Sequence, residues 1–190
     1  FRVNAEGTRI LVEAVLKNNT DLKRFVHISS QAAAGPSKEK KAVMESDIPS
    51  PVSFYGESKL ASENEVLKHK NELPFTIIRP PAVYGPRDID VYKFFKLAKA
   101  GINPSIGIDP SYVSIIHVSD LVECICTAAE NDIAAGETFF VCNPDFYSID
   151  RLIQIIGDTI NRQPIKIAIP VPIAKCIAFI IESMYGLMNT

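Results

Sequence analysis

Two kinds of apolar run alternate along this chain. Short runs of branched and aromatic residues predict buried strands at Arg24-Phe-Val-His-Ile-Ser-Ser30, Phe75-Thr-Ile-Ile-Arg79, Tyr112-Val-Ser-Ile-Ile116 and Thr138-Phe-Phe-Val-Cys142. Between them, apolar residues recur at helical spacing. Asn4 is placed to cap a first helix carrying Ile10, Leu11, Ala14 and Val15, which Asn18-Asn19 ends. Ser53 would cap a second, running to about residue 70 with Leu60, Ala61 and Leu67 as its buried stripe. A third covers 91–100, a fourth carries Val118, Leu121, Val122 and Ile125, and Ser148 caps a fifth with Ile149, Leu152, Ile153, Ile156 and Ile160. The tail from Pro170 predicts a last helix with Ile173, Cys176, Ile177, Ile180, Met184 and Leu187 on one side. The proline-rich passage 35–53 and the segment 101–110 read as loops. Strands alternating with helices in this way give an α/β fold with a parallel sheet.

Composition narrows the classes. With 190 residues, 47% of them hydrophobic, the chain can bury a sizeable core, as one domain or most of a larger one. A net charge of −2 argues against a nucleic-acid partner, since phosphate backbones demand clustered positive charge. The one basic run, Lys38-Glu-Lys-Lys41, contains its own acid and reads as a solvated loop tip. Cys124, Cys126, Cys142 and Cys176 show no metal-ligand or disulfide spacing, so no metal is expected and they read as small buried residues in a reducing, cytoplasmic compartment. The tail helix is interrupted by Lys175 and Glu182 and is too short for a transmembrane span.

The candidate chemistry lies in Tyr55-Gly-Glu-Ser-Lys59, whose spacing puts a phenol and an ammonium one turn apart on a helix face. A neighbouring cation favours phenolate and makes Tyr55 a candidate proton donor or acceptor. Tyr92-Lys-Phe-Phe-Lys96 has the same spacing, but no strand ending in serine precedes it, and it reads as a packed aromatic beside a solvated lysine. Tyr55 does have that company, in Ser29-Ser30. The order serine strand, Tyr-x-x-x-Lys helix, Arg79-Pro strand and Val83-Tyr84-Gly85-Pro86 resembles the extended short-chain dehydrogenase/reductase superfamily, the NAD-dependent epimerase/dehydratase group. Val3-Asn-Ala-Glu-Gly-Thr8 and Ile116-His-Val-Ser-Asp-Leu121 match further segments of that family, so the resemblance covers nearly the whole chain.

The resemblance implies the C-terminal part of a Rossmann-like, doubly wound parallel sheet plus a smaller mixed α/β substrate-binding region. Residues 1–81 would be the second half of the dinucleotide-binding domain and 82–190 the substrate region, with 111–130 packing back on the sheet. The family's glycine-rich phosphate loop is absent from these 190 residues, which therefore read as the back portion of such an enzyme. Carried over residue by residue, Ser30, Tyr55 and Lys59 would be catalytic. Asn4, Ser29, Tyr55, Lys59 and Pro80 would meet an NAD or NADP cofactor, and Gln31, Ala82, Val83 and Arg87 a small-molecule substrate. For Asn4 an ordinary helix cap stands beside the cofactor reading, and for His117 a structural imidazole is preferred to substrate-loop placement. A homodimer through helices 4–16 and 53–68 is also implied. Gln31-Ala32 replaces the Asp-Glu of nucleotide-sugar dehydratases, and Ala82 replaces the asparagine of many nucleotide-sugar epimerases. Those departures lean the reading towards reductases similar to 3β-hydroxysteroid dehydrogenases and dihydroflavonol reductases. A nucleotide-sugar epimerase is the first alternative, and a non-catalytic fragment or scaffold that binds no cofactor is the second.

Overall fold

The computed structural model describes residues 1–18, 21–37, 41–107, 112–174 and 176. They fall into two compact units, Phe1–Gly85 with Ile115–Pro144, and Pro86–Ser114 with the residues from Asp145 onward. The first is built on three parallel strands, β1 (Phe25–Ile28), β2 (Phe75–Arg79) and β6 (Thr138–Phe140), in the order β1-β2-β6. Every residue of β2 is buried. A strand covered on both faces has no solvent side, so its two polar residues are satisfied inside, Thr76 Oγ1 donating to the Ala134 carbonyl at 2.6 Å and Arg79 donating to Glu63. On one face α1 (Gly7–Asn18) and α3 (Phe54–Leu67) close over Val12, Val66, Leu73, Phe75 and Ile77. On the other, α5 (Val118–Glu130) closes over Ile78, Ile116, Leu121 and Ala128. Ile77 and Ile78 point to opposite layers, and burying each contributes about 1.5–3 kcal/mol. The sheet is thus doubly wound, as expected. A short strand β3 (Ala82–Tyr84) pairs in parallel with residues 115–117 of β5 (Tyr112–His117).

The second unit is smaller and mixed. In it α4 (Tyr92–Ala100) and α6 (Ile149–Thr159) accompany a parallel pair, β4 (Ile102–Ile106) with β8 (Ile165–Ile169). Residues 112–114 pair antiparallel with β7 (Phe146–Ser148). Ser148 caps α6 as expected, its Oγ accepting from the Arg151 amide at 3.2 Å, and Leu152, Ile153 and Ile156 face inward.

Several expectations need correction. Residues 102–106 are a strand rather than a loop. Its partner lies far along the chain, and among the described residues Pro104 sits on a strand bonded on one side, where a missing N–H is tolerated. Asn4 is not a cap, because Arg2–Glu6 already forms a π-helical turn that leads into α1. Ile10 and Leu11 are each 54% exposed, and Val12 is the inward residue of α1. The buried residues of α3 are Gly56, Ser58, Ser62, Glu63 and Val66, while Leu67 is exposed; hydrogen bonds rather than apolar contact satisfy most of that face. Cys124 is half-buried, and Cys126, Cys142 and Cys176 are exposed rather than core residues. The tail helix expected as far as 187 lies, beyond Cys176, outside the described residues. Among the described residues no helix is long and apolar enough to cross a membrane, and no His, Cys, Asp and Glu cluster could hold a metal.

Candidate active site

The carboxyl end of β1 meets the first turns of α3. Ser53 caps that helix, its Oγ accepting from the Gly56 amide at 3.1 Å, which fixes where the first turn begins. Gly56 then permits a close approach: a Cβ there would sit 2.3 Å from the Ala32 carbonyl oxygen of α2 (Gln31–Ala34), the short helix that follows Ser30. Gly35, at φ +86°, ends α2 and lies under Ser50, whose amide donates to the Ala34 carbonyl at 2.8 Å. These two glycines place the Ser30 turn against the Tyr55 turn.

Lys59 closes the arrangement. Its Nζ donates to the Ile28 carbonyl at 2.7 Å, at the last residue of β1. Burial pushes the ammonium below the ordinary lysine range, and the Glu63 carboxylate opposes that shift. Tyr55, one turn earlier, is 55% exposed, and its hydroxyl has no hydrogen bond among the described residues. Ser30 Oγ accepts from the Ala32 amide at 3.2 Å, which leaves its own hydrogen available to a ligand. Asn4 Nδ2 donates to Ser58 Oγ at 2.8 Å, and that hydroxyl donates to the Tyr55 carbonyl at 2.8 Å, tying the π-helical turn to α3. The decoy pair differs: Lys96 Nζ lies 5.1 Å from the centre of the exposed Tyr92 ring.

The remaining candidates are scattered. Ser29 is buried, with its hydroxyl donated to Glu63 Oε1 and its amide to the Ile78 carbonyl at 2.7 Å. The Gln31 amide donates to the carbonyl of buried Pro80 at 2.9 Å, bringing those two together. Val83 packs into the cluster beneath α5, Ala82 is exposed, and Arg87, exposed at φ 73°, belongs to the second unit. His117 caps α5, its Nδ1 accepting from the Ser119 amide at 3.3 Å, while its ring lies edge-on to Tyr84 at 5.2 Å.

Glu63, His27 and Ser62 were not singled out from the sequence. Glu63, 1% exposed, takes Arg79 in a two-pronged ion pair, Nε to Oε1 at 2.9 Å and Nη2 to Oε2 at 2.7 Å. His27 is buried with Nε2 at 3.0 Å from Ser62 Oγ. Because Ser62 gives its one hydrogen to the Lys59 carbonyl, His27 Nε2 must carry the proton of that contact. Burial and the Lys59 charge push the imidazole down to about 4. The available signal was Glu63 itself, an acid one turn beyond Lys59 on a helix face otherwise directed inward.

The family model of the NAD dependent epimerase/dehydratase family matches residues 1–142. The chain belongs to this family. An uncharacterised protein of Sinorhizobium fredii is 29% identical over 84% of this chain and 46% of its own length. A ceramide reductase of Caulobacter vibrioides is 26% identical over 100% of this chain and 54% of its own length. The chain thus spans about half the length of the curated relatives it matches. Among solved structures, the UDP-glucuronic acid 4-epimerase of Bacillus cereus, in complex with UDP-glucuronic acid and NAD, aligns with a TM-score of 0.76 at 25% identity, over 90% of this chain and 55% of its own.

The residues present fit one end of a dinucleotide. Tyr55 is exposed, Lys59 grips the last carbonyl of β1 and Ser30, just past that strand, keeps its hydroxyl hydrogen free, at the strand end where doubly wound sheets take their ligands. A glycine-rich turn to cradle a pyrophosphate is not among these 190 residues.

Proposed function

We propose that this chain supplies the catalytic half of an NAD(P)-dependent oxidoreductase acting at a carbinol or carbonyl carbon. The observation that carries the reading is Lys59 anchored to the Ile28 carbonyl with Tyr55 exposed one turn away beside the Ser30 turn. A bound nicotinamide supplies hydride chemistry there. Ser30 donates its free hydrogen to the substrate oxygen and orients it. Tyr55 would move the proton, and Lys59 would steady the charge on the phenolic oxygen and help hold the nicotinamide ribose. Residues 1–81 serve the cofactor and 82–190 the substrate.

A reductase of an apolar carbonyl compound is the favoured chemistry. Gln31 and Ala82 stand where acid and amide would serve a sugar nucleotide, and the ceramide reductase resembles this chain along its entire length. A nucleotide-sugar epimerase is the second reading, favoured by the likeness to the UDP-glucuronic acid 4-epimerase. The test uses the longer protein in which this chain is joined to its dinucleotide-binding half. It is assayed with long-chain ketones plus NADH or NADPH, and with UDP-glucose plus NAD. Tyr55→Phe is expected to lower hydride transfer by about a hundredfold or more, as loss of a positioned proton donor does, with cofactor affinity kept. Tyr92→Phe retains most activity. Equal losses from the two substitutions would sink the assignment, and turnover of UDP-glucose alone would select the second reading.

A further inference from the structure

We infer that Glu63 is a positioning residue for the Tyr55–Lys59 pair, joining the ends of β1 and β2 to α3 and acting as the buried counter-charge of Lys59. This rests on the catalytic reading of that pair. Tyr55, Lys59 and Glu63 follow one another at intervals of four along α3, so they share one helix face. Glu63 accepts from Ser29, which immediately precedes Ser30, and from Arg79 at the end of β2. One carboxylate therefore holds three elements at the point where β1 delivers Ser30 and Lys59 grips the Ile28 carbonyl.

Burial of this kind is expensive unless the charges are paired, and the pairing here is two-pronged, with only Arg79 Nη1 of that guanidinium left without a hydrogen-bond partner among the described residues. Arg79 is 5% exposed and lies 5.5 Å from the centre of the Phe140 ring, so its guanidinium is fixed from above as well. The carboxylate adds a field at Lys59, where it works against the desolvation that favours a neutral amine. The other groups around Lys59 are few. β1 contributes His27, held neutral, and α3 contributes Tyr55; α2 has no titratable side chain, and the π-helical turn presents the neutral Asn4 amide to Ser58. β2 contributes Arg79, engaged through Glu63.

The test reads the ionisation of Lys59 directly, without cofactor or turnover. The full 190-residue chain carries isotopically labelled lysine, Lys59 is assigned by comparison with Lys59→Met, and its resonance is titrated by NMR. In Glu63→Gln the Lys59 midpoint is expected to fall by about one pH unit, a tenfold rise in the neutral fraction at a given pH, and Glu63→Asp restores most of it. Should Glu63→Gln fail to fold because Arg79 is left alone, the comparison moves to the Arg79→Gln background. There Arg79→Gln raises the midpoint, and adding Glu63→Gln lowers it again. A Lys59 midpoint that stays put when Glu63 is replaced, in whichever background folds, overturns the inference. Failure of the catalytic reading would look different: Tyr55→Phe would leave hydride transfer intact while the Lys59 midpoint still followed Glu63.

Discussion

His27 carries a pH dependence whose sign follows from its burial. Its folded value lies near 4, well under the usual histidine value of about 6.5, so between those limits the unfolded chain binds a proton that the folded chain refuses. Its contribution is therefore complete above about pH 6.5 and is lost as the pH falls towards 4. Urea unfolding of the chain at stepped pH is expected to show that decline, and His27→Gln should flatten it. Gly56 makes a second claim. A methyl group there would meet the Ala32 carbonyl at 2.3 Å, a contact with backbone that cannot swing aside. Gly56→Ala should cost about 1–3 kcal/mol by denaturant titration, and should slow hydride transfer in the longer protein because the Tyr55 turn is pushed off the Ser30 turn. A fully active, equally stable Ala variant would show that the two turns need not touch.

Among the elements, α1 and α3 leave apolar positions uncovered in the single chain: Val3 just before α1, Ile10 and Leu11 on it, and Phe54 and Leu67 on α3. We expect the longer protein to pair through these helices as a four-helix contact about a two-fold axis. Sedimentation at micromolar concentration should give a dimer, and Leu11→Asp should shift it towards monomer. The elements also show where the sequence was legible. Runs such as Phe75–Arg79 and the period of α6 could be read directly, because burial on two faces or on one stripe dictates residue type locally. β4 could not: Ile102–Ile106 is a strand only because Ile165–Ile169 lies beside it, and nothing within five residues announces a partner that distant. The inward face of α3 was misread for another reason. Ser58, Ser62 and Glu63 are polar, and a hydrophobic count places them outside, yet Asn4, His27, Ser29 and Arg79 satisfy them inside. The places of Tyr55 and Lys59 one turn apart on α3, and of Ser30 just past β1, were legible because each is a local property of one helix or one strand end. The Glu63 bridge depends on three elements meeting, which no local pattern records.

For the whole molecule, a chain without a pyrophosphate cradle is expected to be a poor dinucleotide binder. The 190 residues contain no glycine-rich turn to hold a pyrophosphate, whatever Tyr55 and Lys59 are proposed to do at the nicotinamide end. We expect isothermal titration of this chain alone with NAD or NADP to show no measurable binding, and micromolar affinity would show that these residues hold a dinucleotide without a glycine turn. Its sheet has an open side as well, since among the described residues β1 is hydrogen-bonded to β2 alone. The route of the chain adds a constraint on assembly. It leaves the first unit after Gly85, returns at Ile115 and leaves again after Pro144, so β2 waits for β6 until the intervening residues have been synthesised. A nascent chain stopped at residue 85 holds Ile77 and Ile78 in a strand with one flank unpaired and without α5 to cover Ile78. Such a piece should associate with itself rather than remain monomeric, and light scattering of residues 1–85 beside residues 1–144 would show it. Neither unit can therefore be released by a single cut, and during synthesis the sheet beneath the candidate site is among the last parts of its own unit to close.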